Sequence, residues 1–242
     1  MSVTDTFISH LLELRSRLLK MVLGLVVAML AFLPFSNALY TWLAQPLLSH
    51  MPVGTHMIAT AVTTPFLVPM KVSTLVAIVA SLPYTLYQAW AFVAPGLYLH
   101  ERRFIAPLII ASTLLFLAGM AFAYFAVFPV LFGFITASAP QGVAVMTDIG
   151  SYLDFVTTMF VSFGLAFEVP IAVVMLVKFN LVNIEMLKEA RPYVIVGAFV
   201  VGAILTPPDV ISQIMLALPL WFLYEAGVLV AKFVAPRGQT AD

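Results

Sequence analysis

The stretch Ile105-Ala106-Pro107-Leu108-Ile109-Ile110-Ala111-Ser112-Thr113-Leu114-Leu115-Phe116 opens an uncharged run that extends from about Phe104 to Thr136. About 20 apolar residues suffice to cross a bilayer as a helix, so this run decides the fold class. Working outward, similar runs lie at Met21–Phe35 with its flanks, about Val68 to Phe92, about Leu153 to Val177, Tyr193 to Leu205, and Val210 to about Phe233. The sequence predicts an all-α integral membrane protein with six transmembrane helices.

Composition agrees. Of 242 residues, 63% are hydrophobic and 9% charged. Soluble domains carry about 45–50% apolar and about 25% charged residues. The mean hydropathy is +1.09. A soluble enzyme, a disordered chain and a nucleic-acid binder are excluded. Eleven basic residues balance eleven acidic ones, leaving no net field for polyanions. There is no cysteine, hence no thiolate metal site or disulfide framework. Four scattered histidines have no metal spacing, and His100-Glu101 does not continue into a zinc motif because position 104 is Phe. No catalytic nucleophile–base set is readable, and no cofactor is expected.

Charge sets the expected orientation. Every basic residue except Lys71 lies before the first run, between the second and third, between the fourth and fifth, or after the sixth. Basic loops stay cytoplasmic, so both termini are expected inside. The expected organisation is one membrane domain over 1–242: a cytoplasmic amphipathic N-terminus at 1–20, a bundle at 21–233 and a tail at 234–242. Ser36-Asn37-Ala38 only faintly resembles a cleavage site, and cleavage is not expected. Lys71 is expected to snorkel to the outer interface.

The last two runs are short. Tyr193–Leu205 gives about 20 Å of helix against a hydrocarbon core of about 30 Å. Thr206-Pro207-Pro208-Asp209 turns it into the sixth run as a tight hairpin. Pro65, Pro69, Pro83, Pro95, Pro107, Pro129, Pro170 and Pro219 lie in or beside the runs. Kinks at these positions free backbone carbonyls and point to a bent, concave assembly.

Four carboxylates stand out. Glu168 lies deep in the fourth run, where a carboxylate faces a cavity, pairs, or stays protonated; Gln213, Thr206 and the carbonyl freed by Pro170 are candidate neighbours. Glu101 follows Trp90, Phe92, Pro95, Gly96 and Tyr98, a setting suited to a guanidinium through paired hydrogen bonds and ring contact, or to its own Arg102 or Arg103. Glu13 lies on a segment with Phe7, Leu11, Leu14 and Leu18, the spacing of an interfacial amphipathic helix, and Glu13 and Arg17 are a favourable i, i+4 pair. Glu225 is expected to pair with Lys232 or a loop arginine. On residues alone, a receptor, a proton-coupled secondary transporter using Glu168 and a structural scaffold all remain open.

Six blocks, in order, resemble the TatC family, the multi-spanning core of the twin-arginine protein translocase. They are His10-Leu11-Leu12-Glu13-Leu14-Arg15-Ser16-Arg17-Leu18; Ala44-Gln45-Pro46-Leu47 with Thr64-Pro65-Phe66; Tyr87-Gln88-Ala89-Trp90-Ala91-Phe92-Val93-Ala94-Pro95-Gly96-Leu97 on to His100-Glu101-Arg102-Arg103; Phe163-Gly164 with Phe167-Glu168-Val169-Pro170; Arg191-Pro192-Tyr193; and Leu205-Thr206-Pro207-Pro208-Asp209 with Ser212-Gln213. One departure is the stretch before the Thr-Pro-Pro-Asp turn, where the family commonly has a large residue such as methionine and this chain has Ala203 and Ile204.

The resemblance implies a six-helix, glove-like protein of the bacterial cytoplasmic membrane that binds twin-arginine signal peptides of folded substrates on the cytoplasmic side. It implies small single-span partners of the TatA/TatB type, homo-oligomers within a larger complex, and export driven by the proton-motive force. By position, Glu13 and Glu101 would receive the two arginines, with Arg15, Arg17, Phe92 and Arg103 shaping the site. Glu168 would be the polar intramembrane residue. Pro46 and Asp209 would be functional outer-side positions, and Thr206 and Gln213 partner contacts.

Overall fold

The computed structural model describes residues 3–49, 51, 56–93, 105–137, 146–205 and 210–234. Side chains are described from residue 12 onward within those ranges, save those at 90, 93, 105, 205, 212 and 234. Its helices are α1 (Val3–Phe32), α2 (Ser36–Leu48), α3 (Thr64–Val93), α4 (Ile105–Phe122), α5 (Phe128–Ala137), α6 (Ile149–Lys178), α7 (Ile184–Leu205) and α8 (Val210–Val234). No strand forms among the described residues. Five stretches are long and apolar enough to cross a membrane: Leu12–Leu48, Thr64–Ala89, Ala106–Ala137, Ile149–Lys178 and Gln213–Phe233.

The helix bounds follow the apolar runs closely, with two corrections. First, the N-terminal segment and the first run form one helix, not two. α1 continues unbroken from Val3 to Phe32, because no proline or glycine interrupts Phe7–Leu23. Second, the fifth run does not begin its helix at Tyr193. α7 starts at Ile184, and Pro192 lies inside it. Asn183 accepts a hydrogen bond from the Met186 N–H at 2.7 Å, which caps the start of α7 upstream of the apolar part. Glu185, Lys188, Glu189 and Arg191 fill the first half of α7, so its apolar stretch remains short.

The chain divides into two compact units, residues 1–44 with 59–113, and residues 45–58 with 114–242. In the first, α1 packs along α3. A Cβ added at Gly24 would lie 2.8 Å from the Tyr84 ring, so the absent side chain lets the helices meet there. Ser73 is fully buried. Its hydroxyl faces the carbonyls of Pro69, at 3.2 Å, and Phe32, at 3.4 Å, tying α3 to the end of α1.

In the second unit α6 is the central packing element. Gly119 of α4 lies against the α6 backbone at Phe163, where an added Cβ would come within 2.4 Å of the Phe163 carbonyl oxygen. Gly227 of α8 meets α6 at Pro170, where an added Cβ would lie 2.8 Å from Cα. Between α4 and α5 the helix widens to a π turn, Ala123–Val127. Pro129 follows and has no N–H to bond the Phe125 carbonyl, which accounts for the local change of hydrogen-bond register. Phe128 then stacks on Phe132, Phe155 and Phe160 at 5.4–6.2 Å. A further core joins α6, α7 and α8 through Val173, Val177, Ile184, Leu187, Tyr224, Val228 and Ala231.

The start of α6 is fixed by a short bridge. The Ile58 N–H donates to the Thr147 carbonyl at 3.0 Å, and the Ile149 N–H to the Ile58 carbonyl at 2.9 Å. Asp148 caps α6 by accepting from the Ser151 N–H at 2.9 Å.

Gly119→Ala should lower the melting temperature in detergent by the equivalent of about 1–3 kcal/mol, the range for overpacking. Gly197→Ala, where an added Cβ meets nothing within 4 Å, should be neutral or slightly stabilising. Equal shifts for the two variants would refute the close α4–α6 contact.

Candidate functional site

The first unit carries the best-defined polar cluster. Glu13 and Arg17 stand one turn apart on α1, and the Arg17 guanidinium makes two hydrogen bonds to Glu13 Oε1, 2.9 Å from Nε and 2.7 Å from Nη2. Its third nitrogen, Nη1, donates to Gln88 Oε1 of α3 at 3.3 Å. Gln88 is only 6% exposed, so this bond ties the pair to a buried side chain. Both Arg17 bonds fall on the same carboxylate oxygen. Among the described residues, Glu13 Oε2 receives none, so it is left for another donor. Phe92 lies one turn beyond Gln88 on α3 and is half-buried.

Gln88 is the residue that the sequence reading passed over as a site. A primary amide in an apolar helix was the available signal, since a buried amide needs a partner. Arg15 lies about 200° around α1 from Arg17 at 100° per residue, so it does not share the Glu13–Gln88 face. Glu101 and Arg103 lie outside the described residues, as do Thr206 and Asp209.

In the second unit, Glu168 is half-buried and its Oε1 is shut off from solvent. It stands on α6 between the crossings at Phe163 and Pro170. The expected link to Gln213 does not form. Gln213 Nε2 donates instead to the Phe199 carbonyl at 2.9 Å, and its side chain packs where Gly202 leaves room. Gln213 is four residues into α8, so its reach is across to α7. Pro46 is buried in α2, and its carbonyl accepts from the Ser49 hydroxyl at 3.0 Å.

Of the partners expected for Glu225, it finds the arginine between the fourth and fifth runs and not Lys232. Its Oε2 accepts from Arg191 Nη2 at 2.7 Å, and Arg191 is helical. One residue away, the Tyr224 hydroxyl donates to the Leu187 carbonyl at 2.6 Å. These two bonds hold α8 against the segment of α7 that contains Pro192. No group of three or more His, Cys, Asp or Glu side chains is placed to hold a metal ion among the described residues.

The helices and buried polar contacts define a multi-spanning, all-α membrane protein. The family model for the Sec-independent protein translocase protein (TatC) matches residues 9–219. The chain is 50% identical to the Sec-independent protein translocase protein TatC of Escherichia coli K12, over 100% of this chain and 95% of that one. It is 52% identical to TatC of Haemophilus influenzae, covering 97% and 91%. A crystal structure of a twin-arginine translocase receptor, TatC, aligns with a TM-score of 0.81 at 36% identity, covering 93% of this chain and 99% of that one. The chain belongs to the TatC family of Sec-independent protein translocase proteins.

Gln88→Leu should weaken the α1–α3 contact in a way that depends on Arg17. A double-mutant cycle of Gln88→Leu with Arg17→Met, followed by thermal unfolding in detergent, should give a coupling of about 1 kcal/mol. Strict additivity would show that the 3.3 Å bond carries no energy.

Proposed function

We propose that this protein is the receptor subunit of a twin-arginine translocase and binds the paired arginines of export signal peptides at the cytoplasmic ends of α1 and α3. The observation that carries the reading is the Glu13 carboxylate, whose Oε1 takes both Arg17 bonds while Oε2 is left for an incoming guanidinium. Arg17 fixes the carboxylate rotamer in advance, so less side-chain entropy is lost on binding. A guanidinium approaching Oε2 gains a charge-assisted hydrogen bond, though it must tolerate Arg17 nearby. A second carboxylate offsets that repulsion. Glu101, in the block after Phe92 that resembles the family, is the residue we assign to it.

Phe92, one turn from Gln88, supplies an aromatic surface for the same ligand. Arg103 completes the basic border that the family resemblance assigns to the site, whereas Arg15, on another face of α1, is not part of it. The planar, five-donor guanidinium suits this arrangement, and a lysine ammonium lacks the fork. The basic residues flanking the spans support a topology with both termini inside a bacterial cytoplasmic membrane. Thr206 and Gln213 are assigned to single-span partner subunits, Pro46 and Asp209 to the outer side, and Glu168 to the intramembrane surface. The homo-oligomer and proton-motive-force coupling follow from the same reading. No catalytic step on this chain is part of it.

The test is photocrosslinking in membrane vesicles from a probe at Phe92. A signal peptide with Arg-Arg should crosslink and its Lys-Lys counterpart should not. Glu13→Gln and Glu101→Gln should each weaken Arg-Arg crosslinking by about tenfold to a hundredfold, the worth of a hydrogen bond to a charged group. Equal labelling by both peptides would overturn the site.

A further inference from the structure

The face of α1 turned away from α3 carries a separate feature. A groove of about 420 Å³ is lined by Leu12, Arg15, Ser16, Leu19, Lys20 and Leu23. At 100° per residue these six fall on one side of the helix, whereas Arg17 and Gly24 face Gln88 and Tyr84 of α3. Both charged side chains in the groove are basic. Among the described residues neither Arg15 nor Lys20 makes an ion pair. Leu12, Leu19 and Leu23 are 60%, 58% and 64% exposed. The same apolar face continues along the first candidate span through Val27 and Leu30, 60% and 61% exposed.

We infer that this groove is a binding site for one anionic phospholipid, with Arg15, Lys20 and the Ser16 hydroxyl holding the phosphate and the leucine row receiving an acyl chain. Charge complementarity decides the occupant. Two cations with no carboxylate between them repel a cationic signal peptide and attract an anion. The apolar row running from the groove into the span favours a ligand with a long hydrocarbon chain over an acidic peptide or free phosphate. Basic side chains at a membrane surface attract anionic headgroups additively, and leave neutral ones without preference. The centre of the groove lies about 120° around α1 from the Glu13–Arg17 pair, and Lys20, which shares the Glu13 azimuth, is separated from it by about 10 Å along the helix axis. The inference needs only that α1 enters a bilayer and does not depend on peptide binding.

Native mass spectrometry of the detergent-purified chain, offered equimolar phosphatidylglycerol and phosphatidylcholine of identical chains, tests it. The wild type should retain the anionic lipid preferentially, and Arg15→Gln with Lys20→Gln should reduce that preference by at least about fivefold, each basic residue at a membrane surface being worth about that factor. The charge-keeping pair Arg15→Lys with Lys20→Arg should retain it, which separates lost charge from lost folding. Glycerophosphoglycerol without acyl chains should fail to displace the lipid at equal concentration. A wild type without preference, a Gln pair with full preference, or displacement by the chainless headgroup would each overturn the assignment.

Discussion

Inside hydrocarbon, every backbone N–H and C=O must find its partner within the protein, and the rest of this structure depends on that constraint. The chain nevertheless places prolines inside α2, α3, α6, α7 and α8. Each proline removes an N–H and strands a carbonyl. At Pro129 the structure answers with a local change of helix register; elsewhere side-chain hydroxyls bond nearby carbonyls other than those four residues before the prolines. Ser73 reaches the Phe32 and Pro69 carbonyls. Tyr224 donates to Leu187 O just ahead of Pro192. The π turn at Ala123–Val127 absorbs Pro129. Thr74, Thr113, Thr136, Thr158 and Ser162 each bond the carbonyl four residues earlier, so their hydroxyls are satisfied within their own helices.

A second consequence concerns how helices attract one another. Lipid tails are as apolar as leucine, so burial of apolar surface gives little drive for association, and close van der Waals packing takes over. Glycine at a crossing lets backbones approach. Gly119 against Phe163 and Gly227 against Pro170 do this on α6, and Gly24 does it for α1 and α3. Glu168 lies between the two α6 crossings. Its surroundings are therefore set by two of the tightest helix contacts in that unit, which keeps a costly carboxylate in a fixed place.

Much of the fold was legible because span length and hydropathy are strong signals. The run at Phe104–Thr136 became α4, a π turn and α5 over Ile105–Ala137, within a residue at each end. The start of α7 was not legible, because a proline after an arginine reads as a helix boundary. The capping amide of Asn183 and the Tyr224 bond, which make the helix begin earlier, come from outside the apolar run. The continuity of α1 was missed for a related reason: an amphipathic pattern cannot say whether a helix lies along a membrane or runs on into it. At the candidate site, the Glu13–Arg17 pair followed from i, i+4 spacing. The Gln88 contact lies 71 residues away in sequence, and no local rule connects the two.

The polar chemistry of the two units differs in kind. In the second, Arg191 and Glu225 neutralise each other across α7 and α8, close to a tyrosine that is 4% exposed and bonded to Leu187. That arrangement joins two helices through one hydrogen bond between opposite charges. In the first, Arg17 spends two donors on one oxygen of Glu13 and one on a buried amide. The carboxylate is held in place and only half satisfied. Holding a group rigid while leaving part of its bonding capacity open costs stability unless a ligand or solvent completes it. The same holds for Glu225, whose Oε1 takes no hydrogen bond among the described residues, while Arg191 Nε is buried without a partner there. What separates the two pairs is the third contact: Arg17 extends its pair to a buried amide on α3, whereas Arg191 bonds Glu225 alone, beside the Tyr224 bond to Leu187.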